Sequence, residues 1–87
     1  MEVKNQYIRA HIRLSSMEEV GAFVKAMMTS TPAESRYRVE TADGSRAVNA
    51  RSYVGMIYMS AEHSGEMYLV NETDNGVFPV ELDQFRA

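Results

Sequence analysis

Two places in this sequence set a hydroxyl beside charged groups and just ahead of an apolar run: Ser15-Ser16 with Glu18-Glu19, and Arg51-Ser52 with Tyr53-Val54. A serine so placed is suited to start a helix, because its oxygen accepts a first-turn N–H that has no partner inside the helix. In the first cluster Glu18 follows Ser15 by three residues and Glu19 follows Ser16 by three, so either register makes a capping box. The same helix end favours an anion through its free amides and its dipole, and there Glu18 and Glu19 compete for the favourable field. His11 and His63 are the imidazoles of the chain. Neither has a second ligand or an activating carboxylate at a telling spacing, so both read as ordinary surface histidines. Cysteine is absent, which removes disulfides and thiolate metal sites and makes zinc an unexpected ligand. Asn71-Glu72-Thr73 fits a glycosylation sequon, a pattern without meaning unless the chain is secreted.

The elements that must position these groups follow from periodicity. Ile8, Ala10, Ile12 and Leu14 alternate with Tyr7, Arg9, His11 and Arg13, as in a half-buried strand that turns His11 outward. Met17, Val20, Phe23, Val24, Met27 and Met28 then recur at helical spacing, predicting a helix of about 13 residues with Pro32 beyond its end. Arg36 to Thr41 alternate again, and Asp43-Gly44 before Arg46-Ala47-Val48 predicts a hairpin. Ser52 stands at the expected N-cap of a short apolar helix through Tyr53, Val54, Met56, Ile57 and Met59, weakened by Gly55. Turns are expected at His63-Ser64-Gly65 and Asp74-Asn75-Gly76, on either side of a strand from Glu66 to Asn71. After Pro79, the residues Val80, Leu82 and Phe85 predict a short terminal helix. The order β-α-β-β-α-β-α is an α+β pattern, with helices on one face of an antiparallel sheet.

Composition narrows the function. Eighty-seven residues, 45% of them hydrophobic, suit one small domain that buries about 60 to 65% of its unfolded surface. Five of the seven methionines, Met17, Met27, Met28, Met56 and Met59, fall on helix faces expected to pack on the sheet. A net charge of -3 without a basic cluster argues against nucleic acid as a partner. No apolar run suggests a signal peptide or reaches the roughly 20 residues of a membrane span, so a cytoplasmic protein without a membrane partner is expected. A protein partner fits these limits best.

Asn49-Ala50-Arg51-Ser52, the apolar helix with Gly55, the strand Met67-Tyr68-Leu69-Val70 and the helix around Phe23-Val24 together resemble the HPr phosphocarrier family of the bacterial phosphotransferase system. The resemblance spans residues 7 to about 72 and implies that residues 1–87 form one HPr-like domain, an open-faced sandwich with a four-stranded antiparallel sheet and a short last helix. It places Ser16 where the family has its phosphorylated histidine, Glu18 at its arginine and Glu19 at its helix-starting proline. Phosphorelay needs an imidazole nitrogen that attacks and leaves near neutral pH. A serine phosphoester is a poor donor, and Glu18 repels the phosphate that a guanidinium would grip. Ser52 matches the serine that a regulatory kinase modifies in some bacteria. In lacking the histidine while keeping this serine, the chain is similar to HPr-like proteins of catabolite repression, although Tyr53 and Tyr58 depart from the family's pattern.

What the resemblance implies is a non-catalytic regulatory or adaptor protein, with no cofactor, that docks on a protein such as a kinase or a transcriptional regulator. The implied partner surface is Ser16, Arg51, Ser52, Tyr53, Val54 and Ile57. Two other readings stand beside it. One is a phosphocarrier that uses His11 or His63. The other is a structural or assembly subunit, including a homo-oligomer, because a terminal helix of about eight residues leaves apolar surface for a second chain.

Overall fold

The alternation at the start of the chain forms β1 (Ile8–Ile12), and the residues after it turn at Ser16 into α1 (Met17–Ser30). The structure, a computed structural model, describes residues 8–32, 35–63, 66–72 and 78–87. The hairpin gives β2 (Tyr37–Glu40) and β3 (Ala47–Asn49), joined through Gly44 at a φ of 76°, a left-handed conformation that glycine adopts without steric cost. Helix α2 (Tyr53–His63) leads to β4 (Met67–Asn71), and a 3-10 helix, Val80–Phe85, comes last. The strands form one antiparallel sheet in the order β1-β4-β2-β3. This is the open-faced sandwich expected from the order of periodicities.

Register decides which side chains meet the helices. Val39 lies opposite Leu69 and Leu69 opposite Ala10, while Ile12 lies opposite Met67, so these residues share one face. Phe23 and Met27 of α1, with Met56 and Met59 of α2, are buried in the cluster against it. Each such large apolar side chain contributes roughly 1.5–3 kcal/mol on leaving water. The α1 stripe is narrower than its spacing suggested. Met17 is 54% exposed and Met28 55%, because the helix turns only the face of Val20, Phe23, Val24 and Met27 to the sheet.

The terminal segment is shorter and tighter than the α-helix expected there. Val80 points to solvent, and Leu82 and Phe85 enter the core, with the Phe85 ring set edge-on to Phe23 at 5.4 Å between centroids. Beyond it the chain runs along β1: Arg13 N–H donates to the Phe85 carbonyl at 2.9 Å and Ala87 N–H to that of His11 at 3.0 Å. Part of a sheet edge that would otherwise expose unpaired amides is thereby covered. Of the turn expected at His63-Ser64-Gly65, His63 is instead the last residue of α2; residues 64–65, and the turn expected at 74–76, lie outside the described residues.

Candidate functional site

Residues 49 to 52 form a corner in which each side chain has a mechanical task. Asn49 Oδ1 accepts the Arg51 N–H at 2.8 Å, an Asx turn that ends β3, and Ala50 is wholly buried with its N–H on the Tyr37 carbonyl at 3.1 Å. Ser52 Oγ accepts the Gly55 N–H at 3.1 Å and its carbonyl accepts Met56 N–H at 2.9 Å, so the serine caps α2 as its position predicted. Gly55 serves close approach rather than a special φ. A Cβ there would stand 3.2 Å from both Val48 Cβ and Ser52 Oγ, so its absence lets α2 lie close to β3.

Arg51 turns away from α2. Its Nη1 donates to Thr31 Oγ1 at 2.7 Å, to the Thr31 carbonyl at 3.2 Å and to the Met27 carbonyl at 3.3 Å. These acceptors end α1, whose last turn holds no basic residue of its own, so Arg51 supplies the cation that the negative helix end favours. The motif therefore ties the end of one helix to the start of the next.

At the other end of α1 the second register of the capping box is realised. Ser16 is the N-cap: Glu19 N–H donates to its Oγ at 3.1 Å, and the Glu19 carboxylate accepts the Ser15 N–H at 2.5 Å. Beside this cap α1 and α2 leave an open cavity of about 230 Å³, walled by Leu14, Val20, Ile57 and Ala61 and edged by Ser16 and Ser60. Ser60 Oγ is shut from solvent there without a hydrogen-bond partner. The two helices also expose large apolar side chains: Met17 on α1, which lines the cavity, and on α2 Tyr53 (47%), Val54 (63%) and Tyr58 (66%). Gly21 faces the Tyr53 ring, which a Cβ at that glycine would approach to 3.9 Å.

Of the residues singled out in the sequence, Ser16 and Ile57 line the cavity, and Tyr53 and Val54 extend the apolar surface beside it. Ser52 and Arg51 lie at the far end of the helix pair, since Arg51 reaches the last turn of α1 whereas Ser16 begins its first. Sequence reasoning missed Met17, Tyr58, Ser60 and Ala61. Spacing puts Tyr53, Ile57, Ser60 and Ala61 on one face of α2, but only the packing of the two helices leaves room beside the small end of that face.

The open face of the sheet carries the other groups with acid-base capacity. His11 stacks on Tyr68, which lies opposite it, with centroids 4.9 Å apart, and Arg9 lies 4.2 Å over the same Tyr68 ring. Arg9 Nε also donates to Glu40 at 2.9 Å, and Arg38, itself paired with Glu72, donates to the other oxygen of Glu40 at 3.1 Å. The stems of Arg9 and Arg38 flank Val70, which is buried on a face without a second layer of structure among the described residues. Among the described residues His11 Nε2 is shut from solvent without a hydrogen bond, 3.9 Å from Glu66 Oε2. His63 is the last residue of α2, and its side chain lies outside the described residues.

Among the described residues no three His, Cys, Asp or Glu side chains are grouped so as to hold a metal, and no helix is long and apolar enough to cross a membrane. No protein-family model matches the sequence, and neither a curated protein nor a solved structure matches it.

Proposed function

We propose that this chain is a non-catalytic regulatory or adaptor domain of the cytoplasm, HPr-like in form, that acts by docking on another protein and does not transfer phosphoryl groups through histidine. One observation carries the reading. Met17, Tyr53, Val54 and Tyr58 are four large apolar side chains exposed on α1 and α2, and Met17 lines the cavity between the two helices. A contiguous apolar surface with a polar margin is what a protein interface requires. Ser52, capping α2 next to Tyr53 and Val54 at the end of the helix pair away from the cavity, is the residue whose phosphorylation would alter docking: it would add up to two negative charges where the helix end favours an anion.

The phosphocarrier alternative finds less support at His11: its Nε2 is shut from solvent, beside the Tyr68 ring and 3.9 Å from the Glu66 carboxylate, which would repel an incoming phosphate. The test is site-specific photocrosslinking in the native cell. A photoreactive residue at position 54 is expected to trap a protein partner, and one at Arg13, beside the open sheet face, is not. Equal trapping at the two positions, or none at 54, would sink the docking reading.

A further inference from the structure

The cavity between the helices also says what kind of surface belongs on it. Its walls are apolar, from Leu14, Val20, Ile57 and Ala61, and its volume of about 230 Å³ is below that of a typical small-molecule site but ample for one bulky apolar side chain. The charges next to its α1-side lining in sequence are Glu18 and Glu19, which follow Met17, and Arg13, which precedes Leu14 and is paired with Glu66 at 3.5 Å. Glu18 and Glu19 stand exposed in the first turn of α1 beside Met17, and neither is ion-paired among the described residues. Among the described residues no cation lines the cavity. From Tyr53 to Ala61, α2 carries no charged residue at all, and the cations nearest in sequence are engaged elsewhere: Arg51 on the carbonyls that end α1, Arg46 on Glu62 at 2.7 Å. Lys25 sits two turns beyond Glu18 along α1.

We infer that the groove receives a protein surface presenting one leucine-, methionine- or phenylalanine-sized anchor framed by lysine or arginine side chains. The inference rests on the docking reading above and adds the partner's chemistry to it. The anchor fills the cavity beside Ser16, and the partner's cations meet Glu18 and Glu19. Those carboxylates repel an acidic surface and speed the approach of a basic one, an effect that added salt weakens.

Two synthetic amphipathic helical peptides with the same leucine face, one with lysine and one with glutamate on its polar face, separate the possibilities when titrated into the isotope-labelled chain by NMR. The lysine peptide is expected to move the amides of Met17, Val20, Ile57 and Ala61, and to bind more weakly at high salt. Two rim pairs correspond to roughly a two- to thirtyfold change in Kd, so Glu18→Lys with Glu19→Gln, which keeps the cap acceptor, is expected to weaken binding by that factor. If both peptides move these amides and the glutamate peptide binds as tightly or more tightly, the basic partner is wrong while the docking surface stands. If neither peptide moves them, or only sheet-face amides such as those of Arg9 and Tyr68 respond, both inferences fall.

Discussion

Arg51 shows how far a residue's role depends on what lies beside it in space. Next to Ser52 in sequence, it falls on the implied partner surface, yet its Nη1 donates to Thr31 and Met27 at the end of α1. Arg51→Met keeps the stem and removes these charge-assisted bonds, and is expected to cost about 1–2 kcal/mol in urea unfolding. Amide exchange at Thr31, whose N–H bonds Met27, should quicken selectively. Asp43 is a second residue with a local duty. The Ser45 N–H, with the hydroxyls of Thr41 and Ser45, holds its carboxyl down to about 2 from an ordinary 3.8. A carboxyl lowered on folding stabilises the fold above its unfolded value and loses that contribution as pH falls through the folded one. The thermal midpoint should therefore fall as pH drops from about 4 to 2, and Asp43→Asn should flatten the dependence in that window.

Helix α2 is governed by its first turn. Ser52→Ala removes the acceptor for Gly55 N–H and is expected to destabilise the domain by about 1 kcal/mol. Gly55→Ala tests a conflict of two effects. Helix propensity favours alanine by up to about 1 kcal/mol, but the new methyl group would sit 3.2 Å from Val48 Cβ, which is fixed to the β3 backbone, and from the capping oxygen. Packing should win, so chemical denaturation is expected to show a variant no more stable than the parent. A gain approaching the full propensity difference would mean that α2 can move away from β3 at little cost.

At the scale of the whole molecule, the fold closes through its last residues. Leu82 and Phe85 complete the core against α1, and the backbone after them covers part of the β1 edge. Phe85→Ala is expected to cost about 3–5 kcal/mol, against a total stability on the order of 4–13 kcal/mol for a domain of 87 residues. Thermal unfolding should accordingly shift down by ten degrees or more, about 4–8 °C per kcal/mol, or lose its cooperativity. A change of only a few degrees would show that the 3-10 segment decorates the core and does not complete it.

Strand and helix order was legible in the sequence because it rests on local periodicity: alternation at Ile8, Ala10 and Ile12, and three- and four-residue spacing at Val20, Phe23, Val24 and Met27. Both helix caps, Ser16 and Ser52, were legible for the same reason, since capping spans only three residues. Met17 and Met28 were read as core, and they are exposed, because spacing marks a helical stripe but not how wide an arc the sheet covers. Nor could spacing show that Arg51 serves the helix before it, that Tyr58 joins Val54 in solvent, or that Ser60 and Ala61 open a cavity beside Ser16. Each of these depends on contacts between residues far apart in the chain, and those are set only when α1 and α2 pack side by side on the sheet.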